Sequence, residues 1–355
     1  MIALAQGFLA AGQGAAGQAV IWTSPDGVTW QRMTAAPLGL TARGRALASV
    51  SWATSGQNAT VISGQFPGGQ WGTWLSTDGG SAWTPVTVPV TGGAEDTISG
   101  LAADGSGLIA VRPGRADDAI AYFSTERADL AVCRHPRRGG RLPPGRACEA
   151  YVFHSANLAS WTQAHDVTGT SGSSQVLAVT ADGTGFVSAG SHNGQPAVWT
   201  TANGTTWTTI VLPLPASATG VLQQIAVNGS QVVATGVQTS AGATSPLAAV
   251  SANGGATFTP VPFGVPGPDL ATTALTADTS GFTAAIQSGT PGQQAVTAWT
   301  SATGTSWTPS PVSGLPADGS DQLTALAPAG TRLTAITTAA TMLSQQPAVL
   351  TLPAR

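Results

Sequence analysis

Four carboxylates, Glu95, Asp96, Asp269 and Asp321, stand in polar stretches between apolar runs. Two such groups on neighbouring loops could act as acid and base in glycoside cleavage. Asp166 and Asp318 lie in stretches of the same kind, as do Arg43 and Arg45, which could hold an anionic group. All of them also read as ordinary solvated loop charges. A second concentration of charge lies between Cys133 and Cys148. Five of the 13 cationic residues fall there, Arg134, Arg137, Arg138 and Arg141 among them. This stretch reads either as a basic arm for an acidic partner, such as a cell-wall polymer, a lipid headgroup or a protein, or as a solvated loop stapled by a disulfide. A Cys133–Cys148 bridge would stabilise the fold by ~3 kcal/mol.

Other chemistries find little support. The four histidines, His135, His154, His165 and His192, sit in no recognisable motif. One histidine beside two cysteines fifteen residues apart matches no zinc-ligand spacing. There is neither a phosphate-binding loop nor a paired-histidine metal motif, so no cofactor and no metal is expected.

The elements that must position these residues repeat along the chain. An apolar strand, a short polar hairpin and an aromatic, threonine-rich strand recur at Ile21–Trp30, Trp74–Trp83, Phe153–Trp161, Trp199–Trp207, Val250–Phe258 and Trp299–Trp307. The Ser or Thr opening each hairpin stands at 24, 76, 155, 201, 251 and 301, in steps of 52, 79, 46, 50 and 50. A further step of 50 reaches Thr351, placing a seventh hairpin where the chain stops. Seven apolar runs of the type Gly185-Phe-Val-Ser-Ala-Gly190 precede the hairpin strands, and alternating runs precede six of those. A unit of four strands in about 50 residues is the size of a propeller blade.

The residue types suit the hairpin. Asp or Asn followed by Gly makes a tight turn needing positive φ. The side-chain oxygen can accept loop amides, and the Ser or Thr hydroxyl can join it. The closing Trp or Phe supplies buried area between sheets, so these aromatics read as packing residues and not as a ligand-stacking surface.

These hairpins resemble Asp-box (BNR) repeats, Ser-x-Asp-x-Gly-x-Thr-Trp. The best match is Ser76-Thr-Asp78-Gly-Gly80-Ser-Ala-Trp83, and Ser24-Pro-Asp26-Gly27-Val-Thr29-Trp30 is a shortened form. Asn157, Asn203, Asn253 and Thr303 take the Asp position elsewhere, with Trp161, Trp207, Phe258 and Trp307 closing. The motif occurs in sialidases, sortilin-type receptors, xyloglucan-cleaving hydrolases and photosystem II assembly factors. The resemblance covers nearly the whole chain and implies a sialidase-like propeller in which the boxes are structural. It implies a fold, not an activity. A sialidase would need three arginines on a carboxylate, a Tyr-Glu pair and an acid/base Asp. The only tyrosines, Tyr122 and Tyr151, stand beside the insertion with Glu126 and Glu149.

The sequence therefore predicts one all-β domain over 1–355, a seven-bladed β-propeller of four-stranded blades whose last blade lacks its outer strand. The basic two-cysteine insertion occupies about 124–150, in the third blade. Either an upstream segment supplies the missing strand and an export signal, or the ring closes differently and leaves exposed edges. Charged residues are 8%, against a usual ~25%, yet 42% of residues are hydrophobic, in runs that can be buried. Arginine without lysine reads as the coding bias of a GC-rich bacterial genome. A net charge of −3 gives no general attraction to nucleic acid, and no apolar run is long enough to span a bilayer as a helix. The expected function is a non-catalytic, extracytoplasmic binding or scaffolding module for a protein or glycan. It would act through the channel mouth or the arginine-rich arm. The alternative is a carbohydrate-active hydrolase using the inner-loop carboxylates.

Overall fold

The computed structural model describes residues 2–4, 7–13, 19–34, 39–42, 45–55, 60–67, 71–78, 80–86, 100–103, 108–112, 151–155, 162–164, 174–264, 270–289, 294–310, 320–329, 332–341 and 344–352. All regular structure among them is β. The first sheet runs β1 (Ile2–Leu4), β2 (Gly7–Gln13), β3 (Ala19–Ser24), β4 (Gln31–Thr34). A ribbon of β5 (Thr41–Ala42) and β6 (Arg45–Ala46) precedes the second sheet, β7 (Ser49–Ser55), β8 (Thr60–Gln65), β9 (Trp71–Ser76), β10 (Thr84–Val86). The third is β11 (Gly100–Ala103), β12 (Leu108–Arg112), β13 (Tyr151–Ser155), β14 (Thr162–Ala164). The fourth is β15 (Ser174–Ala181), β16 (Phe186–His192), β17 (Gln195–Thr201), β18 (Thr208–Val211). The fifth is β19 (Thr219–Asn228), β20 (Gln231–Ser240), β21 (Ala243–Ser251), β22 (Thr259–Pro262). The sixth is β23 (Ala271–Asp278), β24 (Gly281–Ser288), β25 (Ala295–Ser301), β26 (Thr308–Ser310). Finally β27 (Ser320–Ala329), β28 (Arg332–Thr341) and β29 (Ser344–Leu352) form a three-stranded sheet. Neighbouring strands are antiparallel throughout, as short hairpin links require.

The first strands of successive sheets lie against one another, from β1 and β7 through β11, β15, β19 and β23 to β27, and β27 also touches β1. Sheets set side by side around a common centre are the blades of a β-propeller.

The core lies between sheets, and strand periodicity puts it there. Successive side chains of a strand face opposite ways, so a strand between two neighbours is apolar on both faces. Phe186 packs towards Ala102 of the third sheet, while the next residue, Val187, packs towards Leu222 and Ile225 of the fifth. Val232 and Ala234 of β20 face the fourth sheet, and Val233 between them faces Phe282 and Ala284 of the sixth. The first two sheets close over Leu9, Ile21, Ile62, Trp74 and Trp83 in the same way. This explains the continuous apolar runs of the second strands.

A β-bulge recurs in the first strand, between Val50 and Trp52, Val176 and Ala178, Leu222 and Gln224, Thr272 and Ala274, and Leu323 and Ala325. Gly190 and Gly236 stand opposite two of these bulges. A Cβ on either would run into the carbonyl oxygen of Gln175 or Val221, so the close approach of backbone requires glycine.

The bulge also fixes the repeat's true period. In the fourth, fifth and sixth sheets the bulge partner's own partner on the third strand is Ala197, Leu247 or Thr297, four residues before Thr201, Ser251 or Ser301. In the last sheet the same path runs from Leu323 through Thr337 to Ala348 and ends at Leu352. Counting steps of 50 places the hairpin hydroxyl at Thr351. The strand register corrects this by one residue, to a leucine, because strand pairing and not linear spacing defines equivalence.

Candidate functional site

The hairpin turns between third and fourth strands share one hydrogen-bond frame. The opening hydroxyl accepts the amide of a glycine, with Gly27 N to Ser24 Oγ at 2.8 Å, Gly80 N to Ser76 Oγ at 2.8 Å, Gly204 N to Thr201 Oγ1 at 3.0 Å, Gly255 N to Ser251 Oγ at 2.9 Å and Gly304 N to Ser301 Oγ at 2.8 Å. That glycine has positive φ in each case, between 72° and 93°. Its carbonyl then accepts the indole N–H of Trp30, Trp83, Trp207 or Trp307 at 2.7–3.2 Å. Phe258 has no such donor, and there Asn253 Nδ2 donates to Thr257 Oγ1 at 2.9 Å instead.

The acidic members of these turns are engaged as acceptors. Asp26 Oδ1 accepts the amides of Val28 (2.8 Å) and Thr29 (2.7 Å) and the Ser24 hydroxyl (3.0 Å). Those amides, Thr29 before Val28, hold its pKa down at about 2. The Ala82 amide and Ser76 hydroxyl likewise hold Asp78 below the usual carboxylate range. A general acid needs the opposite shift, so these two carboxylates are structural anions. Asn203 Oδ1 accepts Thr205 and Thr206 amides at 3.0 and 2.8 Å from the same position without any charge.

Asp182 accepts from Thr184 and Gly185 in the turn between β15 and β16. Asp278 accepts from Ser280 in the equivalent turn of the sixth sheet. Of the described carboxylates, Asp26, Asp78, Asp182 and Asp278 lie at turns between first and second or third and fourth strands, at one end of the sheets, while Asp321 lies at the other, near the start of β27.

At the other end, where first strands begin and second strands finish, the hydrogen-bonding side chains described in the fourth to sixth sheets are amides, hydroxyls and one histidine. Ser174 opens β15 opposite His192, which closes β16, and both are buried. The Ser174 hydroxyl meets His192 Nδ1 at 2.7 Å, and Asn193 Nδ2 lies 3.1 Å from His192 Nε2. Burial pushes the His192 pKa down, which keeps the ring neutral. With Asn193 Nδ2 donating to Nε2, the matching neutral tautomer has its proton on Nδ1, which donates to Ser174 Oγ. That polarity is wrong for deprotonating a serine nucleophile. The pair is a structural bond closing the strand ends.

Two glutamines organise the same end, and the sequence reading overlooked both. Gln195 holds the loop leaving its sheet at two points, accepting Leu214 N at 2.8 Å and donating to Ala218 O at 3.1 Å. Gln223, the extra residue of the β19 bulge, accepts Thr272 N at 2.8 Å and ties the fifth sheet to the sixth. The signal for Gln195 was legible: Gln18, Gln70 and Gln195 each stand six residues before a hairpin hydroxyl. No such signal marks Gln223, whose role follows from the bulge.

Of the other expected site residues, Arg45 pairs with Ala42 in the ribbon, and Asp321 pairs with Ala339 where β27 begins; both are backbone positions. Arg43, Glu95, Asp96, Asp269, Arg134, Arg137, Arg138, Arg141, Cys133, Cys148, Asn157 and Trp161 lie outside the described residues. Among the described residues no group of three or more His, Cys, Asp or Glu side chains could hold a metal ion, and no helix is long and apolar enough to cross a membrane.

No family profile matches the sequence, and no curated protein matches it. Solved structures do match in shape. A PL25 ulvan lyase bound to its sugar is 10% identical with a TM-score of 0.54, covering 85% of this chain and 79% of that one. A GH74 xyloglucanase from Xanthomonas campestris is 12% identical with a TM-score of 0.52, covering 96% of this chain and 53% of that one. A prolyl endopeptidase is 12% identical with a TM-score of 0.50, covering 99% and 51%. The chain thus spans about half the length of the latter two proteins. At such identities the likeness carries the fold alone, and together with the sheet arrangement it identifies the chain as a β-propeller.

Proposed function

We propose that this propeller is a non-catalytic binding or scaffolding module for a protein or glycan, acting outside the cytoplasm. The observation that carries the reading is the division of chemistry between the two ends. The described side chains where β15, β19 and β23 begin are amides, hydroxyls and one neutral histidine. Asp26, Asp78, Asp182 and Asp278 sit at the opposite end, engaged by their own turns, and Asp321 alone of the described carboxylates stands where a first strand begins. These groups are bonded within the fold and hold the strand ends in place, which suits a binding or scaffolding role better than proton transfer.

The same proposal includes seven blades, the hairpins as Asp-boxes and a Cys133–Cys148 disulfide under the basic arm. Six four-stranded sheets, one three-stranded sheet and the contact of β27 with β1 support the count. The shared hydroxyl–glycine–indole frame supports the box assignment.

The test is affinity electrophoresis through gels containing neutral or acidic polysaccharides, with released oligosaccharides measured in parallel. Retention without release is the expected result. Release of oligosaccharides that Asp269→Asn or Asp321→Asn abolishes would overturn it in favour of a hydrolase or lyase. For the arm, retention by an acidic polymer that is unchanged in Arg137→Gln/Arg138→Gln/Arg141→Gln would remove it from the binding surface.

A further inference from the structure

Four asparagines stand directly before glycine, at Asn193–Gly194, Asn203–Gly204, Asn228–Gly229 and Asn253–Gly254. Such a step can modify itself. The glycine nitrogen attacks the asparagine Cγ, the Cγ–Nδ2 bond breaks, and Nδ2 leaves as ammonia with the proton that the glycine nitrogen gives up. Water then opens the five-membered imide at one of its two carbonyls, leaving an aspartyl or an isoaspartyl residue. Nothing is oxidised or reduced, and water is the only co-reactant.

The fold opposes this chemistry at three of the four steps. Gly204 N donates to Thr201 Oγ1 at 3.0 Å, and Gly254 N donates to the Ser230 carbonyl at 2.8 Å. Each nitrogen must give up that bond before it can turn to Cγ and lose its proton. The side-chain oxygens of Asn203 and Asn253 are held as well, by the Thr206 and Thr257 amides at 2.8 and 3.0 Å. Asn228 is anchored to the next sheet, its Nδ2 donating to the Asp278 carbonyl at 2.8 Å.

Asn193 differs in its backbone. Asn193–Gly194 is the two-residue turn between β16 and β17, with φ 50° at Asn193 and 75° at Gly194, the signs of a type I′ turn. Among the described residues Asn193 is the only asparagine with positive φ. The other two-residue hairpin turn, type II′, keeps the first φ near about +60° and takes the first ψ to about −120°. Rotation of the 193–194 peptide interconverts the two, and glycine at 194 accepts either sign of φ. Imide closure eclipses Cβ and Gly194 N about the Cα–C bond, which for an L residue sets ψ near that same value. The turn is therefore one peptide rotation from the ring geometry, with the strand pairing on both sides kept. Asn193 is exposed, so water reaches it. Its Nδ2, the leaving atom, lies 3.1 Å from His192 Nε2.

We propose that Asn193 is a self-modification site, where Asn193–Gly194 closes to the imide and opens again to place a carboxylate beside His192. The turn also carries the joint to the fifth sheet. The Gly194 carbonyl accepts Gly220 N at 2.8 Å, and Gln195 holds the 212–218 loop. Isoaspartate adds a methylene to the main chain at this point, so modification adds charge and loosens the joint together.

The test holds the full chain folded in warm, mildly alkaline buffer, with a second sample in urea. Peptide mapping by mass spectrometry follows deamidation at all four steps, and isoaspartyl methyltransferase labelling detects the rearranged product. In urea the four steps should react at similar rates. In the folded chain Asn193 should react nearly as fast as in urea, while Asn203, Asn228 and Asn253 slow by roughly tenfold or more, the effect of one protecting bond. Asn193→Gly keeps the left-handed turn and removes the amide, so the first acidic species on ion exchange should vanish. An Asn193 slowed as much as the other three, or an acidic species forming at the same rate in Asn193→Gly, overturns the proposal. If Asn193→Gly does not fold, the ranking of the four steps in the unsubstituted chain decides.

Discussion

Gly304 lies directly against Val233, a residue of the neighbouring sheet. A Cβ at 304 would come within 2.5 Å of Val233 Cγ2 and 3.1 Å of Val250 Cγ2. Gly255 is related to the fourth sheet in the same way, with Thr200 Cγ2 at 3.3 Å from its virtual Cβ. The glycine of the turn thus has two duties, a positive φ and contact with the preceding sheet. Trp307 completes the joint by stacking on Phe263, with ring centroids 4.7 Å apart.

Gly304→Ala should therefore destabilise by about 2–4 kcal/mol, combining left-handed strain with overpacking. Gly242 also has positive φ (80°) but nothing within 4 Å of its virtual Cβ. Gly242→Ala should cost only about 1 kcal/mol. Urea denaturation of the two variants checks the difference, and equal losses would remove the inter-sheet contact from the account.

Acid should act on the Asp26 and Asp78 turns. Asp26 falls to about 2 in the folded chain from an ordinary 3.8, and Asp78 is lowered too. A depressed folded pKa gives stability that is present above the unfolded value and lost as pH drops through the folded one. The loss should fall between pH 4 and 2. Asp26→Asn/Asp78→Asn should flatten the pH dependence of Tm in that window and keep the turns, as Asn203 does. An unchanged slope would show that other groups set the acid transition.

His192 should titrate below the ordinary histidine range. Its depressed pKa means the unfolded chain takes up the proton first, so its contribution is present above about 6.5 and declines as pH falls below it. Histidine NMR titration reads this directly. Ser174→Ala removes the bond to His192 Nδ1 and should cost about 1 kcal/mol. A ring that still titrates near 6.5 would contradict the buried, neutral assignment.

Removing the Gln195 clamp should loosen one loop and leave the sheets alone. Gln195→Ala deletes both bonds to the 212–218 loop, at about 1 kcal/mol each. Hydrogen exchange of the Leu214 amide should accelerate while that of Val198 in β17 stays protected. Equal acceleration at both would mean that the glutamine supports the sheet and not the loop.

The fold was legible because each unit repeats the same physical solution. Two-sided apolar runs such as 185–190 and the aromatic-closed turns follow from burial between sheets, and their spacing marks each described turn between third and fourth strands. Two things were hidden. The recurrent bulge leaves no mark on linear spacing, so a step of 50 reaches Thr351 in the last strand, whereas pairing through Thr337 and Ala348 puts Leu352 at the position of the hairpin hydroxyls. The contact of Ser174 with His192 joins residues 18 apart across a hairpin, and no motif encodes it. Asp26 and Asp78, read from the sequence as turn residues of the hairpins, accept the amides of their own turns.

The turn also tolerates a threonine at the acidic position. Thr303 accepts no amide that its neighbours need, its hydroxyl meeting only Thr305 at 2.7 Å, yet Gly304 N still reaches Ser301 and Trp307 still reaches Gly304. Architecture and electrostatics are therefore decoupled on that side of the molecule. Its surface potential can be raised or lowered residue by residue through Asp, Asn or Thr while the joints beneath stay fixed, so colloidal behaviour can drift under selection with only the acid sensitivity of the turns changing.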